Sequence, residues 1–155
     1  MVSLRREAVI DATAEDVFRV VGRPELIHLW FPGVVSCTFD GAVRIITTGT
    51  GIPMPEEIIT NDLIAHRLQY RITAGLFKQH LATFDAIDLD DGRCLAIYST
   101  DAEPAAMALV VCGGTQGGLD ELQRQFAAGD GPALRAVGLG TTVTAATVTA
   151  TRGAS

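Results

Sequence analysis

Between Val34 and Thr100 turn signals divide the chain into short runs that read as β-strands. Val34 to Asp40 ends at Gly41, and Ala42 to Thr48 ends at Gly49-Thr50-Gly51-Ile52-Pro53. Glu56 to Thr60 ends at Asn61-Asp62. Arg67 to Thr73 is the clearest run, because Leu68, Tyr70 and Ile72 alternate with Arg67, Gln69, Arg71 and Thr73. Such alternation buries one face of a strand and wets the other. Gln79 to Asp88 precedes Asp90-Asp91-Gly92, a tight hairpin turn, and Arg93 to Thr100 closes the series. Strands joined by links this short form an antiparallel meander, whose apolar face needs a cover.

The flanks supply that cover. Leu4 to Ile10 reads as a first strand, and Thr13 can cap a helix whose first turn carries Glu15 and Asp16. Gly22-Arg23-Pro24 stops it, a second short helix runs from Glu25 to Trp30, and Phe31-Pro32-Gly33 ends that one. From Ala106 to Ala128, Val111, Thr115, Gly118, Leu119, Leu122 and Phe126 recur at helical spacing. Asp120, Glu121, Arg124 and Gln125 fall on the opposite, wet side. Gly113, Gly114, Gly117 and Gly118 mark a kink, a late helix start, or room for a ligand beneath the helix. The domain is expected over residues 1–130, with 131–155 an Ala/Thr/Gly-rich tail that is flexible or forms an edge strand.

Composition limits the function classes. A chain of 155 residues is one domain, and 48% hydrophobic against 19% charged residues implies a large core or an apolar cavity. A net charge of −6 argues against nucleic acid and anionic membrane as partners. Cys37, Cys94 and Cys112 form no CxxC, and His28, His66 and His80 show no metal-ligand spacing, so neither metal nor cofactor is expected. The N-terminal residues lack a signal-peptide apolar region, and the run Ala105 to Val111 is too short to span a bilayer. The expectation is a cytoplasmic monomer or homodimer without membrane insertion.

The ordered set of motifs resembles the polyketide cyclase/dehydrase and lipid-transport superfamily, the START-like helix-grip fold. It is carried by Ile10-Asp11-Ala12-Thr13-Ala14-Glu15-Asp16-Val17-Phe18, Trp30-Phe31-Pro32-Gly33-Val34 and Gly41-Ala42-Val43-Arg44. Glu57-Ile58-Ile59 with Asp62, Leu68-Gln69-Tyr70-Arg71-Ile72, His80-Leu81-Ala82-Thr83 and Gly118-Leu119-Asp120-Glu121-Leu122 complete it. The resemblance implies an α+β fold. A curved antiparallel sheet of about seven strands wraps a long C-terminal helix, two short helices follow strand 1, and an apolar cavity lies between sheet and helix.

Alternation then indicates which polar groups face that cavity. Tyr70 points in, as do His80 with Ala82 and Phe84, and Tyr98 with Ala96 and Thr100. Arg44 shares a face with Ile46. Glu57 shares one with Ile59, and Glu56 with Ile58 and Thr60, and both this strand and that of Arg44 carry apolar residues on both faces, so the orientation of each stays open. With Arg44 and Glu57 both inward, Arg44 would hold a substrate oxyanion while Glu57 and His80 move protons. Val43-Arg44, Glu57 and His80-Leu81-Ala82-Thr83 are similar to the lachrymatory-factor-synthase branch, which implies acid–base work for the Arg and the Glu. His80 stands where that branch has Tyr. Trp30, Ile46, Ile59, Tyr70, Ala82 and Phe84 are the candidate ligand contacts, with Tyr98, Gly118, Leu119 and Leu122. The bland alternatives are a structural Arg–Glu contact across strands, a hydrogen-bonded core His and plain wall tyrosines.

Three functions fit these residues. One is a cofactor-free enzyme of cyclase, dehydratase or isomerase type acting on a hydrophobic, polyketide- or lipid-like molecule. The second is a non-catalytic carrier of such a ligand, and the third a protein–protein module with an exposed apolar patch.

Overall fold

The computed structural model of the protein describes residues 1–141. Strand β1 (Val2–Ile10) is followed by helix α1 (Ala14–Val21) and a 3-10 turn (Pro24–Leu29). Then come β2 (Val34–Phe39), β3 (Val43–Thr48), β4 (Pro53–Asp62), β5 (Arg67–Ile72), β6 (Gln79–Asp88) and β7 (Cys94–Glu103). Helix α2 (Ala105–Ala128) and the short α3 (Pro132–Ala136) are the last elements of the described residues. The seven strands form one antiparallel sheet in the order β1-β7-β6-β5-β4-β3-β2. The first strand thus closes onto the last, as a helix-grip fold requires.

The local signals act as their chemistry dictates. The Thr13 side chain accepts from the Asp16 N–H and caps α1. Gly129, in the left-handed conformation at φ +63°, terminates α2. The expected second helix is a 3-10 turn instead, because Pro24 at its start and Phe31-Pro32-Gly33 at its end leave too few residues for α-helical pairing.

Three expectations are corrected. Helix α2 runs unbroken through its four glycines, and two of them, Gly114 and Gly118, give close approach instead of a kink. A Cβ on Gly118 would sit 2.9 Å from the Phe31 ring and 3.1 Å from Trp30, one on Gly114 3.2 Å from Phe31, and one on Gly117 3.7 Å from Pro32. The Trp30-Phe31-Pro32 segment therefore lies directly on the helix. Gln125, expected on the wet face, is fully buried. Its amide donates to the Leu29 carbonyl and to Glu121, and its oxygen accepts from the Ala133 N–H. The packed body also extends beyond residue 130, since α3 buries Ala133 and Leu134 in the core. The rest of the expected tail, residues 142–155, lies outside the described residues.

The glycine contacts make a paired prediction. Gly118→Ala is expected to cost about 1–3 kcal/mol through overpacking against Trp30 and Phe31. Gly113→Ala, with nothing within 4 Å of its added methyl, is expected to stabilise by about 0.5–1 kcal/mol through helix propensity. Urea unfolding of both variants checks the pair, and equal shifts of the same sign would contradict it.

Candidate functional site

Helix α2 packs against β1 and β7. The β3–β5 half of the sheet is covered instead by the segment following the 3-10 turn and by the first turns of α2, and a gap remains there. The result is a cavity of about 460 Å³. Ile46, Met54 and Ile72 form its sheet wall, Phe31 and Val34 one side, and Val111 with Gly114 its helix side. Gly49 and Thr50 of the β3–β4 hairpin and the exposed Val110 stand at its mouth.

One charged side chain lines this cavity among the described residues, and it is Glu56. It is 2% exposed, and its Oε2 accepts from Arg44 Nε at 2.5 Å. Arg44 is 1% exposed and does not reach the cavity wall. Its NH1 donates to the Pro24 carbonyl at 3.4 Å, its guanidinium carbon lies 4.4 Å from the centre of the Tyr70 ring, and its NH2 has no partner. Tyr70, also on the wall, shares a hydrogen bond of 2.5 Å with the Tyr98 hydroxyl. Glu56, Arg44, Tyr70 and Tyr98 thus form one buried polar cluster with a single face on the cavity.

Burial sets the electrostatics of this cluster. It raises the Glu56 carboxyl above its ordinary 4.5, and the Arg44 guanidinium only partly offsets that. For Arg44, burial opposes the charge, but Glu56, with Tyr70 and Tyr98 adding, outweighs it and keeps the guanidinium protonated. Tyr98 is pushed up to about 12 by burial, and Tyr70 is raised as well, so both hydroxyls stay protonated.

Strand β4 holds the main correction. Glu57 faces outward, where Arg71 binds its carboxylate at 2.6 Å, and Ile59 is 47% exposed. Pairing sets this, since Glu56 lies opposite the inward Ile72 and Glu57 opposite Arg71. A bulge follows, where Ile58 pairs with Tyr70 and Thr60 with Gln69, leaving Ile59 without a partner. The extra residue inverts the alternation beyond it, so that Asn61 lies opposite the inward Leu68. The role that the lachrymatory-factor-synthase resemblance implied for Glu57 has no path to the cavity through that side chain.

The other candidates divide cleanly. Ile46 and Tyr70 line the cavity. Trp30, Ala82, Phe84, Tyr98, Leu119 and Leu122 are buried in the packed core instead. Trp30, Phe84 and Tyr98 meet edge to face there, with ring centres 5.5–6.4 Å apart. Large aromatics fill the middle of the grip and confine the hollow to one end. Gly118 lies under Trp30 and Phe31. His66 is half-buried against Phe18 at a φ of +52°.

His80 is 8% exposed and faces inward, but it lines a separate recess with Arg71, Phe77 and Lys78. Its Nδ1 accepts from the Ile72 N–H at 3.0 Å, so the proton of the neutral ring sits on Nε2. Burial pulls its pKa down to about 4, against a smaller opposing effect of Asp101. The β5–β6 ladder stops at Tyr70 and Ala82, and the imidazole takes the next backbone donor. His80→Leu is therefore expected to destabilise by about 1–3 kcal/mol, the cost of an orphaned buried N–H. Activity arising in the cavity should be retained in the folded variant, and its loss would return His80 to the chemistry.

A family model described as polyketide cyclase / dehydrase and lipid transport matches residues 1–128. The chain belongs to that family. Among solved structures, XoxI from Bacillus cereus superposes with a TM-score of 0.76 at 20% identity, over 82% of this chain and 96% of that one. A START superfamily protein from Mycobacterium smegmatis gives 0.66 at 15% identity, over 81% and 97%. The di-domain ARO/CYC BexL of the BE-7585A biosynthetic pathway gives 0.68 at 15% identity, over 80% of this chain and 46% of that one. The fold is the START-like helix grip. No curated protein sequence matches the chain. No helix of the described residues is long and apolar enough to cross a membrane.

Proposed function

We propose that the protein takes a hydrophobic small molecule into the β3–β5 cavity and moves a proton on it with Glu56, without a cofactor. The reaction class is cyclisation, dehydration or isomerisation next to a carbonyl. The observation that carries this reading is a single carboxyl group on an otherwise uncharged wall, with its pKa raised by burial. A desolvated carboxylate is a stronger base than one in water, and a raised pKa brings it toward the operating range of acid–base catalysis. Family membership supports the class of ligand, and the ARO/CYC neighbour supports the class of chemistry.

Each residue then has a distinct part. Glu56 removes or returns the proton. Arg44 is a positioning residue, because it holds the Glu56 carboxylate from behind and does not reach the cavity. Tyr70 offers an aromatic wall, with its hydroxyl already held by Tyr98.

The test uses 5-nitrobenzisoxazole, a neutral aromatic that reports any base in an apolar site. Removal of its ring C–H proton breaks the N–O bond and releases a coloured cyanophenolate. Turnover above the buffer rate that disappears in Glu56→Gln is the expected result. Turnover unchanged by that substitution would refute the reading. Absence of turnover, together with an unmodified lipid retained in native mass spectrometry, would favour the carrier.

A further inference from the structure

The polar side chains on the cavity wall are few. The hydroxyls of Thr48 and Thr50 bond each other at 2.8 Å, and the Tyr70 hydroxyl is held by Tyr98. Every other wall residue is apolar or glycine, apart from Glu56. The cation nearest to Glu56 is sealed, since Arg44 lies behind the wall with its Nε committed and its Cζ over the Tyr70 ring. A ligand entering here therefore meets an acceptor and no accessible cation.

We infer that this cavity sorts ligands by charge, admitting apolar molecules that bear a hydrogen-bond donor, a hydroxyl or an amine, and rejecting those that carry a carboxylate of their own. The inference rests on the cavity being the ligand site and names the substrate class for it. An anionic ligand would have to shed its hydration in an apolar chamber, which is costly without a paired cation. It would also face the Glu56 carboxylate at short range, where the low dielectric strengthens repulsion. A hydroxyl or ammonium donor instead finds the Glu56 carboxylate as an acceptor, and a charge-assisted hydrogen bond is about twice as strong as a neutral one. Substrates for this site are thus phenols, enols, alcohols or amines on an apolar skeleton, and free fatty acids are excluded.

The test compares three probes of one skeleton at neutral pH: 2-naphthol, 2-naphthylmethylamine and 2-naphthoate. In the wild-type protein, titration is expected to show the alcohol and the amine binding about tenfold or more tighter than the carboxylate. In Glu56→Gln the spread between naphthol and naphthoate should fall to within about threefold, because repulsion is gone and the Arg44 charge, no longer neutralised, offsets the desolvation of the carboxylate. Should that variant fail to fold, the double substitution Arg44→Leu with Glu56→Leu removes the repulsion and the acceptor but leaves the desolvation cost, so the spread should narrow without closing. Naphthoate binding as tightly as naphthol in the wild type would overturn the inference. So would a wild-type spread that survives undiminished in the folded variants, or failure of all three probes to bind. A spread that depends on Glu56, in a protein that does not turn over 5-nitrobenzisoxazole, would uphold the substrate class and remove only the proton-transfer reading.

Discussion

Arg44→Leu should destabilise the fold by about 3–5 kcal/mol, the usual cost of removing one member of a buried ion pair. The substitution leaves Glu56 at 2% exposure with no counter-charge and breaks its 2.5 Å hydrogen bond. It also removes the guanidinium stacked on Tyr70 and the donor to the Pro24 carbonyl. The double replacement of Arg44 and Glu56 by leucine should regain most of the loss, because exchanging a whole buried pair for apolar groups of similar volume is often neutral or better. The penalty of the single variant should also depend on pH. Without Arg44 the Glu56 carboxyl rises further, so the folded state favours its protonated form. Stability is then fully present below the ordinary carboxyl value of 4.5 and is lost as pH climbs through the raised value of the folded state. Denaturant unfolding across pH measures this. A single variant as stable as the wild type at neutral pH would mean that the pair is solvated.

Glu56→Gln should lower turnover of 5-nitrobenzisoxazole by about 10²–10⁴-fold, the ordinary contribution of a positioned general base. The amide keeps the size of the side chain and can still meet Arg44, so binding should change far less than rate. In the wild type, the active form is the ionised carboxylate. The rate should therefore rise with pH through a midpoint above the ordinary carboxyl value and level off beyond it. Glu57→Gln is the control. Glu57 sits on the outer face, bound to Arg71, and its loss should leave the rate unchanged. An effect of Glu57→Gln equal to that of Glu56→Gln would contradict the placement of β4.

These expectations show where the chain was legible. The meander, the two flanking helical segments and the long α2 follow from alternation, turn residues and caps, which act locally. The inward parity of Tyr70, His80 and Tyr98 was readable for the same reason, because their strands are regular. Strands β3 and β4 were not, since Ile45-Ile46 and Ile58-Ile59 put an apolar residue on each face of both. One signal would have resolved it: a hairpin centred on Thr50 places Arg44 opposite Glu56 by symmetry, as the observed pairing does. The extent of the cavity was the harder matter. Phe84, Tyr98 and Trp30 fill the centre through edge-to-face contacts among β6, β7 and the end of the 3-10 turn. Such contacts join residues far apart in the chain, and no periodicity reports them. The close seating of Phe31 on Gly114 and Gly118 is of the same kind.

A crystal structure of the protein with 2-naphthol tests the central claim most directly. The ring should lie between Ile46, Met54, Ile72 and Val111, with its hydroxyl within hydrogen-bonding distance of the Glu56 carboxylate and Arg44 still behind it. Density for the ring elsewhere on the molecule, or a Glu56 side chain turned out to solvent, would contradict it.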